Sequence, residues 1–140
     1  MQNLKQVLVQ KINKTNWWHV PPTDPKAYKK RGKFLASTYD EANFYGKPNL
    51  LSEKVIVVNP LFGFSEMSIL KKLFGSEKAK WLLKKTENLE NYKVRIGLDA
   101  KIYHRAKRLG YDSVVLMTKK GREYLKKGLK PRSIELNIFL

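Results

Sequence analysis

The chain contains no cysteine. That single absence removes a disulfide framework, a thiolate zinc site and a cysteine nucleophile. Histidine occurs only at His19 and His104, so a histidine-built centre is not expected and no metal is assigned. No apolar run comes near the roughly 20 residues needed to span a bilayer. Met1 to Lys14 carries Lys5, Lys11 and Lys14 without a long apolar core, which is not a signal-peptide pattern. The expectation is a cytoplasmic protein with no membrane partner. Acidic residues are scarce as well: 12 Asp and Glu stand against 29 Lys and Arg, for a net charge of +17 and a pI near 10.1. A field of that sign attracts polyanions such as nucleic acid, an acidic protein surface or anionic lipid. Arginine is the minor contributor, at Arg31, Arg95, Arg105, Arg108, Arg122 and Arg132. Lysine is the poorer residue for planar, bidentate recognition. The charge therefore fits a solvated lysine surface as well as a polyanion partner.

What is present suffices for one domain over 1–140. The chain has 140 residues, 42% of them hydrophobic and 11% aromatic, enough for a single core. A monomer is expected. Residues 4–12 fit either a strand or a short helix. Trp17 to Val20 reads as a strand cut off by Pro21-Pro22, because proline cannot continue a ladder. A basic run from Lys26 to Lys33 leads into a short apolar strand, Phe34 to Ala36. Thr38 with Glu41 three residues on forms a capping-box pattern. It opens a helix to about Tyr45 that Gly46 stops. Lys54 to Val58 reads as a buried strand ended by Asn59-Pro60. Helical spacing covers 66–74, 77–85 and 99–109, with Gly75-Ser76 and Gly110 as breaks. Tyr111 to Met117 and Ser133 to Phe139 read as strands. Strands and helices mix without strict β-α alternation, which favours α+β over a doubly wound sheet.

Few residues here can do chemistry. His19 sits in Trp17-Trp18-His19-Val20, and Glu135 in Ile134-Glu135-Leu136-Asn137-Ile138-Phe139. Alternation puts Glu135, Asn137 and Phe139 on one strand face and Ile134, Leu136 and Ile138 on the other. A carboxylate in such a strand lies at a solvated edge or points into a cleft. Tyr39 and Tyr45 flank the helix after Thr38. His104 falls on a basic helix at the surface. One His, an aromatic pair and a late Glu thus follow one another in that order.

These segments resemble the ADP-ribosyltransferase superfamily, in its poly-ADP-ribose-polymerase-like and small phage and toxin mono-ADP-ribosyltransferase-like forms. The resemblance runs from about Trp17 to the C-terminus. Members carry a first-strand His, a Gly-x-Tyr-Phe-Ala strand, a helix with Ala-Asn-Tyr and a final-strand Glu. The matching residues are His19; Gly32, Phe34, Leu35 and Ala36; Ala42, Asn43 and Tyr45; and Glu135. Gly110-Tyr111-Asp112-Ser113-Val114-Val115 is similar to the Gly-Tyr-Asp strand of the small relatives.

The resemblance implies an α+β fold, a split barrel of two small antiparallel sheets with flanking helices, and NAD as co-substrate in the cleft between them. It assigns catalysis to Glu135, His19 and Tyr45. It assigns cofactor contacts to His19, Val20, Gly32, Phe34, Ala36, Ser37, Tyr39 and Tyr45. His19 would hold a ribose hydroxyl, Phe34 and Tyr45 would pack on the nicotinamide ring, and Glu135 would stabilise the oxocarbenium-like charge. The basic segment before the Glu strand would read the acceptor: Lys119, Lys120, Arg122, Lys126, Lys127, Lys130 and Arg132. The implied activity is mono-ADP-ribosyl transfer to nucleic acid, DNA or RNA, or to an acidic, nucleic-acid-associated protein.

The chain departs from the family pattern in three ways. Val20 and Pro21 stand where Gly and Ser or Thr commonly follow the His, and Pro21 has no N–H to give. Phe34 replaces the family Tyr and keeps only its stacking face. Ser133 stands where arginine-modifying members carry Glu or Gln, which argues against arginine as acceptor. Rival readings are a non-enzymatic basic module that binds nucleic acid or a polymerase, and an NAD glycohydrolase. Ranked below them are the toxin branch suggested by Ser37-Thr38 and the transfer-RNA 2′-phosphotransferase branch.

Overall fold

The computed structural model describes residues 3–87, 92–129 and 131–140. Lys130, expected at the acceptor surface, lies outside them. The chain opens with α1 (Leu4–Lys14). The Asn3 side chain accepts the Gln6 N–H, and the Gln6 side chain accepts the Asn3 N–H. This reciprocal cap satisfies otherwise orphaned donors and decides helix over strand where the apolar spacing fits both. Next come β1 (Trp18–His19), α2 (Ala27–Arg31), β2 (Lys33–Ala36) and α3 (Tyr39–Asn43). After a long loop come β3 (Pro60–Gly63), α4 (Glu66–Phe74), α5 (Ser76–Glu87) and α6 (Tyr92–Arg108). The chain closes with β4 (Ser113–Met117), α7 (Lys119–Lys126) and β5 (Ile134–Ile138).

The strands form one open sheet in the order β1-β2-β5-β4-β3. Every neighbouring pair is antiparallel except β3 and β4, which run parallel. The α+β expectation stands. Two small antiparallel sheets were expected, and the pairing gathers all five strands in one, so it does not establish a split barrel. The last strand, β5, is the middle of the sheet. Its two faces carry separate cores. Leu35, Val115, Met117, Ile134 and Leu136 pack with Leu8, Ile12 and Trp17 on the α1 and α7 side. Leu61 and Val114 pack with Ile69, Leu70, Leu82, Leu98 and Ile102 on the α4, α5 and α6 side.

One expected strand is corrected. Lys54 to Val58 makes no ladder, and the strand begins at Pro60 instead of ending there. Proline is tolerated at a strand's first residue, where its missing N–H costs nothing. The alternation in 54–58 is nonetheless real: Val55 and Val57 are buried, while Ile56 is 87% and Val58 74% exposed. The Asn13 side chain takes the place of a partner strand. It accepts the Val57 N–H at 2.7 Å and donates to the Val57 carbonyl at 2.9 Å. A further difference affects the site: α6 starts at Tyr92, about two turns before the expected Asp99. Among the described residues no helix is long and apolar enough to cross a membrane.

Candidate functional site

The register of the sheet fixes what Glu135 faces. Glu135 pairs with Ala36 on one side and Leu116 on the other, and Ala36 pairs with Trp18. Paired residues share a face. Glu135 therefore projects to the α4 and α6 side, together with Phe34, Asn137 and Val114. There it lines a cleft with Phe34, Asn137, Ile69, Glu66, Arg95 and Asp99. The Asn137 amide nitrogen donates to the Arg31 carbonyl at 3.0 Å, and its Oδ1 is buried without a partner.

Charge in this cleft is unbalanced. Arg95 donates to both Glu66 oxygens, at 2.7 and 2.8 Å, and to Asp99 one helical turn on, at 3.0 Å. The bonds to Glu66 tie α6 to α4 in the lining of the cleft. Among the described residues no hydrogen bond joins Arg95 to Glu135. One guanidinium thus faces three carboxylates. Burial pushes the Glu135 carboxyl above its ordinary value, and the neighbouring Asp99 adds to the rise. Burial raises Asp99 too, against the pull of Arg95. A carboxyl with a raised pKa in a cleft is a mark of a functional site. Among the described residues no three His, Asp or Glu are grouped to hold a metal ion.

Tyr45 is not among the residues that line the Glu135 cleft. Its side chain is 64% exposed, yet the pKa of its hydroxyl is raised, by burial first and then by the charge of Glu135. His19 does not belong there. It pairs with Leu35, which pairs with Leu136, so it falls on the face opposite Glu135. Trp17 shares that face and is fully buried beside Leu8 and Ile12. The His19 ring is 4% exposed and both nitrogens are engaged. Nδ1 lies 2.7 Å from the Phe34 carbonyl and Nε2 2.8 Å from the Tyr28 hydroxyl. A carbonyl only accepts, so Nδ1 carries the proton and Nε2 accepts from Tyr28. Burial lowers the His19 pKa, which favours this neutral form. The expected ribose contact is corrected to a core histidine that fixes β2.

The other expected cofactor residues divide. Phe34 lines the Glu135 cleft, and Ala36 is buried as its cross-strand neighbour. Gly32 is buried with φ +80° against Asn137, and Val20 is half-buried beside Gly46. Ser37 and Tyr39 line a different cavity, of about 490 Å³, with Trp18, Thr38, Lys11 and Lys14. Glu41 is the joint between these regions. Thr38 caps its N–H at 3.2 Å, but the Glu41 side chain does not return the bond. It accepts instead from the Ser37 hydroxyl at 2.8 Å and from the Ser133 N–H at 2.7 Å. Ser133 has φ +56°, so Glu41 holds a strained entry into β5. Glu41→Ala is expected to destabilise the fold by about 1–3 kcal/mol, read as a lower midpoint in thermal or urea unfolding.

Of the expected acceptor residues, Lys119, Lys120, Lys126, Lys127 and Arg132 are exposed on α7 and the turn after it. Arg122 is half-buried with its guanidinium 4.8 Å over the Phe64 ring, a packing role. Sequence reasoning missed Arg95, Asp99, Glu66 and Trp18. Arg95 and Asp99 at i and i+4 were a legible ion-pair signal hidden by placing the helix start too late. The chain matches no protein-family model, no curated protein and no solved structure.

Proposed function

We propose that the protein is an NAD-dependent mono-ADP-ribosyltransferase whose reaction centre is the Glu135 cleft. The observation that carries this reading is one carboxylate on the central strand, aimed into a cleft that Phe34 also lines. On this reading the sheet is an open variant of the family's split barrel, and the setting is cytoplasmic.

Bond cleavage sends the C1′–N electron pair to nicotinamide, which leaves as a neutral base. The ribosyl C1′ and ring oxygen then carry positive charge until the acceptor's nucleophile adds and loses its proton. Glu135 stabilises that charge and holds the ribose hydroxyls, which is worth most where water is excluded. Asp99 and Glu66 keep the cleft's potential negative, so a cationic transition state is favoured over a neutral product. Phe34 offers the departing ring an apolar wall.

Only the ionised carboxylate can do this. The raised pKa of Glu135 therefore predicts a rate that falls on acidification at a pH above the ordinary carboxylate range. A pH profile of nicotinamide release checks it. A rate flat down to the usual glutamate pKa would contradict the role given to Glu135.

A second reading has one observation in its favour. The cleft holds about 50 Å³, room for a few waters, and the Arg95 in its lining is already bonded to Glu66 and Asp99. That suits a basic module that binds nucleic acid without turning over NAD. Its affinity would fall steeply with salt, whereas NAD turnover alone would not. A glycohydrolase would use the same residues with water as acceptor, and product analysis separates it.

A further inference from the structure

The larger cavity lies outside the Glu135 cleft, at the end of the sheet where α1, β1 and the start of α3 meet. It is lined by Lys11, Lys14, Trp18, Thr38, Tyr39 and Pro131, and encloses about 490 Å³. Trp18 and Tyr39 form an edge-to-face pair with ring centroids 5.2 Å apart. Both rings are partly open to solvent. Trp17 and Trp18 are adjacent in a strand and so part company: Trp17 is fully buried and Trp18 lines the cavity. Two lysines edge it, and among the described residues no acidic one lines it.

We infer that this cavity takes one base of a single-stranded nucleic acid, stacked on one ring of the perpendicular Trp18–Tyr39 pair and edge-on to the other, with its phosphates on Lys11 and Lys14. Aromatic faces joined to a basic track are the chemistry that holds single strands, because every base has a π-face and every linkage a charge. The track continues beyond the cavity. Lys11 donates to the Gly128 carbonyl at 3.2 Å, which brings the end of α7 beside it. Lys126, Lys127 and Arg132 are exposed there. A net charge of +17 supplies the long-range attraction. An acidic protein segment would meet the lysines but leave the aromatic slot without a planar partner.

The register places the cavity relative to the cleft. Trp18, Ala36 and Glu135 form one cross-strand row. Two strand spacings put Trp18 and Glu135 about 10 Å apart on the same face. A nucleotide neighbouring the one on Trp18 can therefore reach the ribosyl carbon. That the bound strand is the acceptor rests on the transfer reading above. That it binds does not.

The test is fluorescence anisotropy of a labelled single strand of about 12 nucleotides, as DNA and as RNA, without NAD, across a salt series. Trp18→Ala is expected to weaken binding about 5- to 150-fold, and Trp18→Phe to recover most of it. Lys11→Ala with Lys14→Ala is expected to reduce the log–log salt slope by about 1.4. Trp81→Ala, at an exposed tryptophan on α5 outside this cavity, is expected to bind as the wild type does, and with NAD absent, binding can succeed where NAD chemistry fails. Equal affinity in wild type and the Trp18 and lysine variants would overturn the assignment. So would displacement of the strand by ADP, which would make the cavity part of a dinucleotide site, or equal binding of a duplex.

Discussion

Glu135→Gln should raise the protein's melting temperature by a few degrees at neutral pH while cutting nicotinamide release from NAD about 10²–10³-fold or more. The two effects have one cause. Glu135 is a desolvated carboxylate facing Asp99 and Glu66, and the Arg95 guanidinium that lines the cleft is already bonded to those two. A carboxyl whose folded pKa exceeds its unfolded value binds more protons when folded. Its contribution to stability is greatest below the unfolded value and is lost as pH rises through the folded one. Glutamine keeps the size and removes the charge, so the folded state gains at neutral pH. A functional group held at a cost to stability behaves this way. An unchanged rate, or a lower melting temperature, would show that Glu135 is an ordinary strand residue. Wild-type stability should also rise on mild acidification from neutral pH, and that rise should shrink in the variant.

Gly32→Ala should be among the most damaging substitutions in the chain, costing about 3 kcal/mol or more and leaving little soluble protein. Gly32 ends α2 with φ +80°, a conformation that a Cβ disfavours. A methyl group there would also press on the Asn137 side chain and lie 2.9 Å from the Ile138 carbonyl. Both belong to the central strand, which cannot move without disturbing β2 and β4. The resemblance assigned Gly32 to the cofactor. Its geometry assigns it to the close approach of chain and sheet beneath the cleft. A stable Gly32→Ala protein with weakened NAD binding would favour the former, and wild-type stability with wild-type affinity would contradict both.

Much of this was legible in the residues, and the misses have physical reasons. The face of Glu135 was legible because alternation in the last strand is strict. The Thr38 cap was found because a hydroxyl before an acidic first turn has a local meaning. Glu41's tie to Ser133 was not, because the two are far apart in sequence and nothing local records the contact. His19 was misread through its chain position: next to Trp18, it could belong to either face, and only the pairing of β1 with β2 decides. Trp18 was missed for the same reason. Lys54 to Val58 carries a strand's pattern and lies extended without being a strand, since Asn13 supplies the hydrogen bonds. Arg95 came from a helix that starts before its apolar spacing does.

The central claim is that the Glu135 cleft cleaves NAD. The most direct measurement is nicotinamide release by the purified protein, wild type beside Glu135→Gln, with single-stranded DNA, RNA, duplex DNA and cell lysate offered as acceptors. The account predicts release that depends on Glu135 and increases with a single strand, with ADP-ribose found on that strand. No release with any acceptor, together with no measurable NAD binding, would contradict it and leave a basic protein that binds nucleic acid without the chemistry.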